Sequence, residues 1–435
     1  MRAKALLLIA ALAGGAAQAY PLDATERTGI RRLEAARAAQ LTRGSLPAGA
    51  LLPAEQVRPS GLADATLGAP DPAFSAQLVA LLGDQRDAYA LAVLDFSDPE
   101  RPRFGAHQPD LVANVGSVGK VLVLLAWLQR LAELYPDDLA ARERILRETS
   151  VQADDYILND EHKVPVVGTG GQVTWRPLRV GDRGNLWEYL DWMMSASSNA
   201  AASMVMKELV AIQHLGRDYS ADPAARDAAL VALGAPVRGR LLLEAMVSPL
   251  VANGLDPQRI RQGSLFTGGG KARVPGTSSY ATPRELLRLL ALIEAGELVD
   301  PWSSAEAKRM LYMTQRRIRY ASHPVLNPAA VYFKSGSLYS CQPEPGFVCR
   351  KYQGNKLNRL GSVALVEYPA GAPALRYAVA LMSNVLRVNS AVAPQTLALR
   401  IHRLVESAHL ARPAARDEEL PPARLEDAEG RGPHD

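Results

Sequence analysis

Residues 111–130, LVANVGSVGKVLVLLAWLQR, constrain the fold more than any other stretch of this chain. The segment starts extended, turns at Gly116, and then runs through Val121, Leu122, Val123, Leu124, Leu125, Trp127 and Leu128. A helix that is apolar nearly all round is buried in a core rather than laid on a surface. At its head sit Ser117 and Lys120, the only Ser-x-x-Lys in the chain. Residues three apart on a helix share a face, so a hydroxyl stands beside an amine. The hydroxyl also lies at the positive end of the helix dipole, where developing negative charge is favoured. A pair at the head of a buried helix is held rigidly, as catalysis requires.

The chain has 435 residues, 48% hydrophobic and 22% charged, so it is globular and long enough for one large domain or two ordinary ones. The formal charge is only +4 and the aromatic content 6%, with both signs interspersed; no basic stripe for nucleic acid is present. Arg2 and Lys4, the apolar run 5–13 and Ala17-Gln18-Ala19 read as a secretory signal with its cleavage site. That run is too short to span a bilayer. No cysteine lies near the cleavage site to carry a lipid, so the expected product begins at Tyr20 and is periplasmic or secreted. Cys341 and Cys349 are the only cysteines; so close a pair in an exported chain is expected to form a disulfide, with two free thiols as the alternative. The seven histidines are scattered without His-x-His or His-Glu-x-x-His, so neither a metal site nor another cofactor is expected.

Four regions follow along the chain: a signal at 1–19, an extension at 20–70, a main domain at 71–411 and a charged, Pro-rich tail at 412–435 expected to be disordered. In the extension, residues 25–41 have helical spacing with arginines on the other face, and the Pro, Gly and Ala of 44–70 read as a wrapped or loose linker. Asp71 and Pro72 open a helix through 82. Residues 88–96 read as a strand and 103–107 as its hairpin partner.

The chain is then largely helical from 121 to about 315. Helices are expected at 137–147, 185–194, 200–209 and 282–293, with Ser303 or Ser304 capping one that ends near Met313. Residues 149–181 read as irregular, and 219–280 as short helical pieces between loops. Strands return at 330–335, 361–368 and 375–383, before a helix at 392–411. Strands at both ends with helices between predict a mixed α/β (α+β) fold of three layers. Its antiparallel sheet is assembled from N- and C-terminal strands, with an inserted helical subdomain.

Two later motifs add to Ser117 and Lys120. Ser197-Ser198-Asn199 lies between two helical segments, and Lys334-Ser335-Gly336 ends the strand VYFKSGS. Ser-x-x-Lys, Ser-x-Asn and Lys-Ser/Thr-Gly, in that order, are the signature set of penicillin-binding proteins and serine β-lactamases. From about 71 to 411 the chain resembles the class A β-lactamase family, most clearly in ANVGSVGKVLVLLAWL, LRVGDRGNLWEYLDWMMSASSNAAASMVM and SSYATPRELLRLLALIEAGELVD.

The resemblance implies a β-lactamase/transpeptidase-like fold and a serine hydrolase that forms an acyl-enzyme at Ser117 with a β-lactam or a D-Ala-type amide. A serine hydroxyl must lose its proton as it attacks. Lys120 is expected to take that proton as the neutral amine, its pKa lowered by burial and by a second cation, Lys334. By the same resemblance Ser197 passes the proton to the leaving nitrogen, and Asn199 holds Lys120 and the substrate amide. Lys334 and Ser335, followed by Gly336, grip a substrate carboxylate, and the N–H groups of Ser117 and Ser337 form the oxyanion hole. Arg359 is a further candidate for the carboxylate.

The chain departs from that family in three places. Class A enzymes empty the acyl-enzyme with a Glu-x-x-Leu-Asn loop, and none occurs between Ser-x-Asn and the Thr-Pro helix. Glu244, Asp256 or Lys120 itself are the substitutes on offer. The near match Asp155-Tyr156-Ile157-Leu158-Asn159 lies on the wrong side of Ser-x-Asn and reads as a coincidental helix or turn. Ser117 and Ser197 stand 80 residues apart, longer than the family's usual spacing, and an insertion at 338–360 replaces a short turn, reading as a lid or wall of the site. Acylation is therefore expected and hydrolysis expected to be slow. The alternatives are a cell-wall D,D-peptidase that acts on a peptidoglycan-type peptide, or a binding protein that kept the pocket.

Overall fold

The computed structural model describes residues 25–38, 47–219, 222–313 and 317–409. The expected signal and the expected tail lie outside the described residues. The chain opens with α1 (Thr25–Thr28) and α2 (Arg31–Ala38), then α3 (Pro72–Leu82) and the hairpin of β1 (Tyr89–Asp95) and β2 (Arg103–His107). The spacing of 25–41 predicts one helix; Gly29, at φ +66°, breaks it in two. Asp71 caps α3 by accepting from Phe74 N at 2.7 Å.

The helical part follows, with α4 (Lys120–Leu134), α5 (Leu139–Glu148), β3 (Ser150–Gln152), β4 (Lys163–Val167), β5 (Val173–Pro177), β6 (Arg183–Asn185), α6 (Leu186–Met194) and α7 (Asn199–Leu215). It continues through α8 (Pro223–Ala232), α9 (Ala235–Ala252), α10 (Gly268–Arg273), α11 (Pro283–Ala295) and α12 (Pro301–Tyr312). The chain then returns to the sheet with β7 (Ala330–Ser340), β8 (Leu357–Tyr368) and β9 (Leu375–Asn384), and closes with α13 (Ala393–His409).

The main sheet has the order β2-β1-β9-β8-β7, with every neighbouring pair antiparallel. It is covered on both faces, which is why its inner strands read as continuous apolar runs. Ala90, Ala92 and Leu94 of β1 face the core shared with α4, α7 and α11, while Leu91 and Val93 face the core under α3 and α13. The mixed α/β architecture, with its antiparallel sheet and inserted helical part, is the one expected from the order of elements. Residues Val121 to Leu128 of α4 are all buried, as their unbroken apolar character requires.

Several local expectations change. Residues 149–181 are not irregular: β3 pairs with β6, and β4 pairs with β5. The glycines at 168, 170 and 171 are the loop of the β4–β5 hairpin, closed by Gly168 N donating to Gln172 O at 3.0 Å. One long helix, α9, spans a stretch read as short pieces, because Pro236 occupies its first turn and Pro249 is accommodated near its end. Asp300, not Ser303 or Ser304, caps α12; its carboxylate accepts from Ser303 N, and both serines are buried. β7 runs five residues beyond Ser335, so Lys334-Ser335-Gly336 lies inside a strand rather than at its end.

The extension is bound to the domain. Ile30 and Leu33 are fully buried, as are Val57 and Leu62 farther along. The arginines of α2 do not simply face water: Arg32 is buried and its Nη2 donates to the Asp191 carboxylate of α6 at 2.6 Å. The buried Lys308 of α12 joins Glu294 of α11 to Glu367 of β8. A paired buried charge of this kind is costly to break, because its partners would be left uncompensated.

Candidate active site

The turn before α4 packs against the edge strand β7. Gly116 takes φ +53°, and its N–H donates to Asn114 Oδ1 at 2.9 Å. That reversal brings Ser117 onto Gly336 so closely that a Cβ at 336 would lie 2.5 Å from Ser117 N. Only glycine permits this approach. Ser117 sits in a 3₁₀ turn, and the α-helix proper begins at Lys120. Ser117 is half-buried, whereas Lys120 is fully enclosed.

Lys120 Nζ is the hub. It lies 3.0 Å from Ser117 Oγ, 2.7 Å from Ser197 O, 3.4 Å from Ser197 Oγ and 2.7 Å from Asn199 Oδ1. Burial pushes its pKa down to about 7, against the pull of the Asp160 charge, which raises it. Lys334 Nζ reaches the other side of the same Ser197 hydroxyl at 2.7 Å. Its pKa is driven well down by burial, then by the charges of Lys120 and Arg319. Ser197 holds φ +57°, a left-handed conformation that side chains rarely adopt and that functional sites often store.

Asn199 is the first residue of α7, whose cap is Ser198; Ser198 Oγ accepts from Ala201 N at 3.1 Å. Asp160 completes this helix head. Its carboxylate accepts from Ala200 N at 2.7 Å and from Ser198 Oγ at 3.1 Å, and meets His162 Nδ1 at 2.5 Å. Burial would raise the Asp160 pKa, but the hydrogen bonds from His162 and Ala200 prevail and hold it below the ordinary value. The segment read as a coincidental turn is indeed a short 3₁₀ turn, Asp155–Ile157. It nevertheless leads directly to Asp160, which sequence reasoning missed.

Ser335 and Ser337 point to Arg319, whose guanidinium donates to both hydroxyls at 2.9 Å. Arg319 also takes a left-handed backbone, φ +53°, and burial lowers its pKa. Its Nε is buried without a hydrogen-bond partner. Tyr352 from the insertion stacks on it, with the guanidinium 5.3 Å from the ring centroid. No motif marks Arg319, and its only sequence signal is a cation shortly before Lys334. Arg359 instead lines a separate cavity with Leu111 and Asn114, and that cavity has neither Ser117 nor Lys334 in its wall. Cys341 and Cys349 are disulfide-bonded within the insertion.

Lys120 also meets an aromatic ring: Nζ lies 4.7 Å from the centroid of Phe266. Next to it, Thr267 is buried and bonded to Ser203 Oγ at 2.9 Å. Glu244 is exposed on α9, and Asp256 is engaged with Gln258 N and Arg259. Among the described residues, no carboxylate hydrogen-bonds to Lys120, and no group of three His, Cys, Asp or Glu is placed to hold a metal ion. No helix of the described residues is long and apolar enough to cross a membrane. What remains is a hydroxyl with a low-pKa amine beside it, a second hydroxyl between two amines, and an arginine behind two strand serines.

No curated protein matches the chain. Solved structures similar to it include a β-lactamase from Sphaerobacter thermophilus (15% identity, TM-score 0.48), with 78% of this chain and 98% of that one covered. A β-lactamase from Chitinophaga pinensis (14%, TM-score 0.46) covers 77% of this chain and 98% of its own. The chromosome-encoded β-lactamase of Vibrio parahaemolyticus (13%, TM-score 0.46) covers 78% and 100%. The profile of the β-lactamase enzyme family matches residues 73–383, and the chain belongs to that family.

Proposed function

We propose that this member of the family is a serine acyl-transfer hydrolase that opens a β-lactam or a D-Ala-type amide through a Ser117 ester. The observation that carries this reading is the Lys120 amine, buried, with a pKa of about 7 and 3.0 Å from Ser117 Oγ. Near neutral pH about half of such an amine is unprotonated and can act as a base. As Ser117 Oγ bonds to the carbonyl carbon, its proton passes to Lys120. The oxyanion is received by the N–H groups of Ser117 and Ser337. Collapse breaks the C–N bond, and the leaving nitrogen takes the Ser197 hydroxyl proton, which the neighbouring lysines replace. The Arg319 guanidinium, with the Lys334 amine and the Ser335 hydroxyl, forms a donor-rich end that suits a substrate carboxylate.

Water must then cleave the ester. Phe266 lies against Lys120 and no carboxylate among the described residues hydrogen-bonds that amine, so a long-lived acyl-enzyme is expected. This favours a penicillin-binding peptidase or a slow hydrolase over a rapid β-lactamase. The test is to incubate the protein and Ser117→Ala with a β-lactam while following adduct mass and ring opening. A stable adduct on Ser117, absent from the variant, is expected. Fast turnover would overturn the slow-deacylation reading, and no adduct with any β-lactam or D-alanyl peptide would overturn acyl transfer itself.

A further inference from the structure

We propose that the leaving half of the substrate is an amino acid with a large apolar side chain, received by a cleft under the β4–β5 hairpin. The inference rests on the acyl-transfer reading above. A cavity of about 430 Å³ is lined by Pro165, Trp175, Ala196 and Ile318, together with the polar Arg32, Lys163 and Ser195. That volume is in the range of small-molecule sites. Two of its lining residues, from different parts of the chain, are sequence neighbours of the cluster. Ala196 precedes Ser197, which binds both lysines, and Ile318 precedes Arg319, which binds Ser335 and Ser337.

The hairpin is built to present this surface. Pro165 and Trp175 are register partners, so they share one face. On the opposite face Val164 is fully buried, and its partner Arg176 grips Asp182 through two bonds of 2.6 and 2.8 Å. The hairpin is thereby pinned while the Trp175 indole stays 53% exposed. A large exposed ring in a concave site is the feature that calls for a ligand.

The chemistry fixes which half of the substrate lies here. Ser197 supplies the proton to the leaving nitrogen, so whatever that nitrogen carries extends past Ser197 toward Ala196. A leaving amino acid has three groups to place. Its amine meets Ser197, its carboxylate meets Arg319 and Ser335, and its side chain enters the cleft against Trp175. Alanine would leave the cleft empty; an aromatic side chain fills it.

The experiment compares N-acetyl-D-alanyl-D-alanine with N-acetyl-D-alanyl-D-phenylalanine, measuring release of the terminal amino acid and, in Ser117→Ala, binding by calorimetry. A preference of about tenfold or more in kcat/KM for the phenylalanine peptide is expected, as for an apolar group entering a fitted pocket. Trp175→Ala should erase that preference through KM and weaken binding to the Ser117→Ala background, and Trp175→Phe should restore most of both. If Ser117 is acylated by both peptides without preference, or Trp175→Ala leaves the ratio unchanged, the cleft proposal is overturned and acyl transfer stands. If neither peptide acylates Ser117, yet the phenylalanine peptide binds through Trp175, acyl transfer falls and the cleft stands.

Discussion

Lys120 and Lys334 aim their amines at one hydroxyl: Ser197 Oγ is 3.4 Å from the first and 2.7 Å from the second. Two buried amines so close do not both carry protons without a large electrostatic cost. With Lys120 at about 7, acylation should gain rate as pH rises. The expected fall is about tenfold between pH 8 and pH 6, with an apparent pKa near 7. The second-order rate of adduct formation across pH measures it. The same shift has a stability sign. The unfolded chain binds the Lys120 proton more tightly than the folded one, so wild type should gain stability relative to Lys120→Met from pH 7 to pH 10. Urea titrations at the two ends of that window test this.

Asp160 raises the Lys120 pKa by its charge and bonds the head of α7. Asp160→Asn should therefore move the rise in acylation to lower pH, not higher. It should also cost about 1–3 kcal/mol of stability through the weakened bonds to Ser198 and Ala200. The pH profile separates the two effects, since a purely structural loss would leave its midpoint in place.

Gly336→Ala introduces a methyl group into the contact with Ser117 N. Overpacking of this kind costs about 1–3 kcal/mol, and here the strain falls on the turn that carries Ser117. Acylation should drop by about 100-fold, as for misplacement by about an ångström, with the thermal midpoint lowered only modestly. Adduct kinetics and a melting curve together check this.

Phe266→Glu would set a carboxylate beside Lys120 in place of a ring. Two changes are expected together. The Lys120 pKa rises, so acylation begins at higher pH, and the adduct lifetime shortens because a base can now activate water. An unchanged adduct lifetime would show that something other than the missing carboxylate limits deacylation.

Arg319→Ala removes the guanidinium behind Ser335 and Ser337. The loss should appear mainly as a rise in KM of about 10- to 100-fold for substrates with a carboxylate, consistent with one charge-assisted contact. A neutral ester of the same substrate should be insensitive to the change. Steady-state kinetics on the acid and ester pair decides it.

The legible parts of this chain were those where local chemistry sets the element. The unbroken apolar run of 121–128 can only be a buried helix, and Asp71-Pro72 and Thr282-Pro283 open helices because cap and proline act within one turn. Ser117, Lys120, Ser197, Asn199 and Lys334 were legible through short motifs. Asp160 and Arg319 were not, because what distinguishes them is whom they meet. The Asp160 carboxylate reaches Ser198 across 38 residues, and Arg319 reaches β7 from the start of a single 3₁₀ turn, Arg319–Ser322. The β4–β5 hairpin was hidden for another reason. Its strands hold two prolines, and its loop is rich in glycine, so propensity argues against the pairing that packing imposes.

The sheet order has a bearing on how the cluster is assembled. β1 lies next to β9, with Tyr89 opposite Ser383, and β7, which carries Lys334, joins only through β8. The strand beside Ser117 lies more than 200 residues after it in the sequence. β8 and β9 are what connect β1 to β7, and with β7 come Lys334 and the Gly336 backbone that packs on Ser117. The cluster around Ser117 is thus a product of long-range pairing, complete only when segments from both ends of the described chain share one sheet.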